Sequence, residues 1–104
     1  MVEVTERQIT YLSGFGGGAI SVDRLRRIEI ETTDAGPFAS DFFWLLLTWE
    51  GESLRIPGDA EGAEALFDAF APLPGVDYEA VIRASGRTEA GRELVWSAPH
   101  ARLH

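Results

Sequence analysis

Between residues 28 and 32 apolar and charged side chains alternate, with Ile28, Ile30 and Thr32 set against Glu29 and Glu31. A period of two describes a strand with one face on a core and the other in water. This strand spans Leu25 to Thr33 and is entered from Ala19-Ile20-Ser21-Val22 through a turn at Asp23. Upstream, residues 2–12 are rich in Val, Thr, Ile and Tyr, but the apolar positions shift from Val2 and Val4 to Ile9 and Tyr11. The shift predicts one strand interrupted by a break or bulge. The cluster Gly14-Phe15-Gly16-Gly17-Gly18 then turns the chain as a flexible hairpin.

Downstream, Asp34-Ala35-Gly36-Pro37 is turn chemistry, and Phe42 to Trp49 is apolar on both faces, as in a central strand covered on each side. Glu50-Gly51-Glu52 forms a tight hairpin into Leu54-Arg55-Ile56, which Pro57-Gly58 stops. The period then changes. Asp59 is the predicted N-cap of a helix from about Ala60 to Ala71, in which Ala63, Leu66, Phe67 and Phe70 form one apolar stripe. Asp77 caps a shorter helix in which Tyr78, Val81 and Ile82 share a face and which Gly86 ends. Glu93 to Ser97 reads as a last strand, with Leu94 and Trp96 on one side. Strands first and helices later predict an α+β fold. The expected architecture is an antiparallel sheet of about five or six strands packed against one main helix in the C-terminal half plus a second short helix. Residues 1–98 form a single domain in this reading, and residues 99–104 a flexible tail.

Composition narrows the chemistry. The 104 residues include no cysteine, which removes disulfides, thiolate metal sites and cysteine nucleophiles and suits a reducing compartment. All nine cationic side chains are arginine, so Schiff-base chemistry and a lysine-bearing phosphate loop are also removed. The first residues carry Glu3 and Glu6 where a secretory leader has basic residues, and the longest apolar stretch, Phe42 to Leu47, is far shorter than a membrane span. A cytoplasmic protein is expected. The net charge is −8, and residues 34–82 carry Asp34, Asp41, Glu50, Glu52, Asp59, Glu61, Glu64, Asp68, Asp77 and Glu79 against Arg55 alone. That stretch repels a polyanion, which argues against a nucleic-acid partner.

The run from Arg27 to Phe38, followed by Asp41-Phe42-Phe43-Trp44, Ile56-Pro57, Leu73-Pro74-Gly75 and Glu79-Ala80-Val81-Ile82-Arg83-Ala84, resembles a family of small uncharacterised bacterial proteins over about residues 25–96. The resemblance brings a pattern and no activity. More remotely, several strands followed by a helix resemble the layout of pleckstrin-homology-like domains. The chain departs from that layout in its second helix and following strand, and it lacks the basic patch that a lipid or phosphopeptide site uses.

Three functional readings follow. The first is a non-enzymatic protein–protein interaction module. Its acidic face, residues 50–68 with Glu61, Glu64 and Asp68, and its exposed turn, residues 33–41, would meet a protein of complementary positive charge, for example as an immunity-type or regulatory protein that neutralises a basic enzyme. The second is a small-ligand or cation binder, or a weak enzyme, at the Thr32 to Phe38 turn, using Asp34 and Asp41 with Thr33 and the aromatic Trp49. The third is a homodimer through exposed strands in place of a monomer. Arg24, Arg26 and Arg27 are expected in surface ion pairs, and Trp44, Trp49 and Trp96 in the core, with Trp49, next to the hairpin turn, the most exposed of the three. No Ser/His/Asp set can be assembled, because His100 and His104 both lie in the tail, so the reading leans away from an enzyme. It assigns no metal and no cofactor.

Overall fold

The computed structural model describes residues 1–14, 16–34, 42–86 and 89–99. The N-terminal stretch expected as one interrupted strand is a hairpin, β1 (Val2–Thr5) and β2 (Gln8–Ser13), with Thr5 paired to Gln8. Its two-residue turn places Glu6 at φ 50° and Arg7 at φ 64°. Two successive positive φ angles match the right-handed twist of a hairpin, though glycine or asparagine usually fills such positions. Here tertiary bonds hold Arg7: its carbonyl accepts from Val22 N at 2.8 Å and its Nε donates to Asp23 Oδ1 at 2.8 Å. The parity shift from Val4 to Ile9 is therefore the turn itself.

β3 (Gly16–Ser21) returns along β2 and places Ile20 opposite Ile9, both buried. Within β3, a Cβ at Gly17 would run into the Tyr11 carbonyl, so part of the glycine cluster is a strand built for close approach. A single 3-10 turn over Val22–Arg24 then leads into β4 (Leu25–Thr32). β5 (Phe42–Thr48) and β6 (Ser53–Pro57) form the expected hairpin around Gly51. After the helices α1 (Ala65–Phe70) and α2 (Tyr78–Ser85), β7 (Gly91–Ser97) pairs with β4.

The α+β class holds, but the strands form two antiparallel sheets in place of one. The first has order β1-β2-β3 and the second β6-β5-β4-β7. One face of the second sheet carries Ile28, Ile30, Trp44, Leu46, Leu54, Ile56 and Trp96 into a core shared with Val2, Ile9, Ile20, Leu66 and Phe70. Thr48 is fully buried there, and its Oγ1 accepts from Glu52 N at 3.0 Å.

Three further expectations are corrected. The main helix does not begin at Ala60, and Asp59 does not cap it. Gly62 sits at φ +84° and the carbonyls of Ala60, Gly62, Ala63 and Glu64 accept i to i+3 bonds, so only Ala65–Phe70 is α-helical. That left-handed glycine lays the backbone on β1, where Val2 N donates to Glu61 O at 2.6 Å. Of the predicted stripe, Ala63, Leu66 and Phe70 are buried and Phe67 is exposed. In α2, Asp77 is the N-cap as expected, its Oδ1 accepting from Ala80 N at 3.1 Å, and Gly86 ends the helix. The face turned to β7 and β4 is nevertheless Ala80, Val81 and Ala84, because small side chains allow close packing. Tyr78 and Ile82 are exposed. In β7 the register shifts opposite Ile28 and Glu29, so Val95 and Trp96 are both buried while Leu94 lies on the other face beside Glu29. Residues 100–104, expected as a tail, lie outside the described residues.

Candidate functional site

The four-stranded sheet has a second face, and it presents a regular arrangement of apolar and charged side chains. Cross-strand register aligns Arg27 with Leu47, Glu29 with Leu45 and Leu94, and Glu31 with Phe43 and Arg92. On the far side of β5, Leu45 faces Arg55 and Leu47 faces Ser53. Phe43, Leu45 and Leu47 are half-buried on this face. The expected cover on both faces of β5 is thus supplied on this side by long side chains. Arg55 lies over the Phe43 ring with its guanidinium carbon 3.7 Å from the centroid. Arginine stems screen apolar surface while their heads stay in water.

The charges form a chain across the strands. Arg55 donates to Glu31 Oε1 from Nε at 3.2 Å and from Nη2 at 3.0 Å. Arg92 reaches Glu31 at 3.4 Å and Glu29 at 3.5 Å, and Arg27 Nη1 reaches Glu29 at 3.4 Å. The hydrogen bond from Arg55 holds the Glu31 carboxyl below the usual carboxylate range; partial desolvation opposes the shift and Arg92 adds to it. Between these walls runs a groove of about 370 Å³ floored by Leu45 and Leu47 and edged by Arg27, Arg55, Arg92 and Ser53. The Arg27 Nε is buried at its margin with no hydrogen-bond partner.

A second surface lies on α1 and the turns that precede it. Glu61, Glu64 and Asp68 are all exposed, and none makes an ion pair with any described arginine. Those arginines are committed elsewhere: Arg7 to Asp23, Arg24 to Glu50, Arg83 to Asp77 and Glu93, and Arg27, Arg55 and Arg92 to the sheet chain. Arg26 lies over Trp49 at 5.9 Å. Among the acidic residues Phe67 is 42% exposed, yet its ring is anchored edge-on to the buried Trp44 at 5.7 Å between centroids. Alongside runs a shallow groove of about 260 Å³ edged by Val4, Arg7, Asp68 and Pro72.

Of the residues grouped by sequence around the Thr32 to Phe38 turn, Trp49 stands apart from Thr33 and Asp34. Thr33 and Asp34 follow the end of β4 that pairs with Phe42, whereas Trp49 follows the opposite end of β5, roughly 20 Å away at strand rise. Trp49 is 41% exposed, as expected, but its neighbours are Arg24 and Arg26. Asp41 lies outside the described residues. Among the described residues no group of histidine and acidic side chains could hold a metal ion, and no helix is long and apolar enough to cross a membrane. The sheet-face groove was not anticipated. Its one sequence signal was the doubly apolar β5 beside a strand with Arg27, Glu29 and Glu31 at every second position.

No protein family, curated protein or solved structure was found to match the chain.

Proposed function

We propose that the protein is a non-enzymatic protein–protein interaction module that engages a cationic partner through the surface formed by Glu61, Glu64 and Asp68 around Phe67. The observation that carries this reading is the segregation of charge. The described arginines are neutralised within the fold or laid on an aromatic ring, while these three carboxylates project without counter-ions among the described residues. Unpaired like charge on a surface steers an opposite partner and raises its association rate. Phe67 adds what charge alone lacks, an exposed aromatic whose position is fixed from below by Trp44. A regulatory or immunity-type protein that covers a basic enzyme is the narrower form of the same reading.

The test is recovery of partners from the native host at low salt, with identification by mass spectrometry. A stoichiometric basic protein is expected. It should be lost when Glu61, Glu64 and Asp68 are changed to arginine and weakened about tenfold or more by Phe67→Ala. Binding that persists unchanged in molar salt, or in the charge-reversed variant, would sink the proposal.

A further inference from the structure

We propose that the groove on the outer face of the four-stranded sheet is a binding site for a small amphipathic anion, a carboxylate carried on a short aliphatic body. Four observations converge on that chemistry. The floor is aliphatic, made by Leu45 and Leu47 of β5, while Ser53 offers a hydroxyl at the edge. Arginines outnumber carboxylates in the lining, with Arg27, Arg55 and Arg92 against Glu29, in a chain whose net charge is −8.

The arginines on the β4 side of the groove are loosely engaged. Their contacts to Glu29 and Glu31 are 3.4 to 3.5 Å, against 2.6 Å for Arg24 with Glu50 and 2.8 Å for Arg7 with Asp23. A guanidinium has five donors in a planar fork suited to a carboxylate, and these contacts use few of them at good geometry. Finally, Arg27 Nε is a buried donor without an acceptor, an arrangement that disfavours the empty site. A carboxylate that draws the Arg27 guanidinium toward the groove relieves it, while the aliphatic body covers Leu45 and Leu47.

The volume of about 370 Å³ lies at the small end of the range for ligand pockets, so a body of several carbons fits and a long acyl chain does not. A cationic ligand is disfavoured because its ammonium would face the arginines. An inorganic anion satisfies them but leaves the leucine floor in water.

The probes are sodium octanoate, octylammonium, 1-octanol and inorganic phosphate, titrated into the intact protein and followed by backbone amide NMR. Octanoate is expected to bind saturably with a Kd near or below about 1 mM and to shift amides of residues 45–47 and 53–55. The other three should bind at least about tenfold more weakly. Arg92→Gln, an exposed change on an edge strand, should weaken octanoate about threefold to tenfold, and Arg27→Gln should weaken it further, in proteins whose melting temperature is retained. If Arg27→Gln impairs folding, Arg92→Gln and Leu45→Gln decide the matter. Octanol or octylammonium binding as tightly as octanoate would overturn the proposal by showing a simple apolar patch. Phosphate binding as tightly would overturn it by showing no apolar component. Absence of a saturable shift, or insensitivity to all the variants, would remove the site altogether.

Discussion

Replacing Gly62 by alanine sets two readings of the same segment against each other with opposite signs. In a continuous helix from Ala60 to Ala71, Gly→Ala at an interior position stabilises by about 1 kcal/mol. In the observed structure Gly62 has φ +84°, and a Cβ there would run into the Val2 carbonyl oxygen. A left-handed backbone costs a non-glycine residue about 1–2 kcal/mol. Relief of the contact requires β1 to move away, which weakens the bond from Val2 N to Glu61 O, a further loss of about 1 kcal/mol. The expected total is a destabilisation of about 2–3 kcal/mol, or roughly 10–20 °C in melting temperature for a domain of this size. Gly51→Ala is the control, because its φ of +88° is comparable but nothing lies within 4 Å of the added carbon. It should show the backbone cost alone. Urea denaturation of the two variants and the parent measures the difference. A Gly62→Ala protein as stable as the parent, or more so, would refute the left-handed turn. Equal losses at both sites would remove the contact with β1.

Two other outcomes are expected. Asp77→Ala removes the side-chain cap on Ala80 N and should cost about 0.5–2 kcal/mol in urea denaturation, with Asp77→Asn retaining most of it; equal losses in the two variants would argue against capping as the cause. Glu31 has a folded pKa below its free value of 4.5, so its contribution to stability is present above that pH and is lost as pH falls through the folded value. Glu31→Gln should therefore be less stable than the parent near neutrality, by no more than about 1 kcal/mol for a solvent-screened pair, and the gap should close under acid. A gap of constant size from neutral to acid pH would show that ionisation of Glu31 plays no part.

Much of the fold was legible where burial imposes a period. Ile28, Ile30 and Thr32 mark β4 because one face must be dry, and Glu50-Gly51-Glu52 and Asp77 declare a turn and a cap through local chemistry. What escaped depends on contacts between distant residues. The Glu6-Arg7 turn lacks the usual residues because Val22 and Asp23 hold it, and the bulge at Val95 exists only opposite Ile28 and Glu29. A glycine within a helical stripe reads as a tolerated weakness until its left-handed backbone on β1 is seen. The same division applies to the sites. The exposure of Glu61, Glu64, Asp68 and Trp49 followed from local pattern. The groove required residues 27, 45, 53 and 92 to be aligned by strand register, which no spacing along the chain specifies.

The pairing of β4 with β7 also bears on how the chain reaches its native state. Arg27 is matched with Ser97, so the sheet closes across some of the longest separations in the described chain, whereas β1 with β2 and β5 with β6 are local hairpins. Local hairpins form in microseconds, and distant strand pairing is slower because more chain must be ordered before the contact rewards it. On a ribosome, β4 emerges long before β7, and until then it presents one unpaired edge together with the apolar side chains of Ile28 and Ile30. The arginines and glutamates of β4, with Arg55 of β6, then have a role in time as well as in space. Charge beside an exposed strand edge opposes edge-to-edge association, and here that edge waits for its last strand to be made.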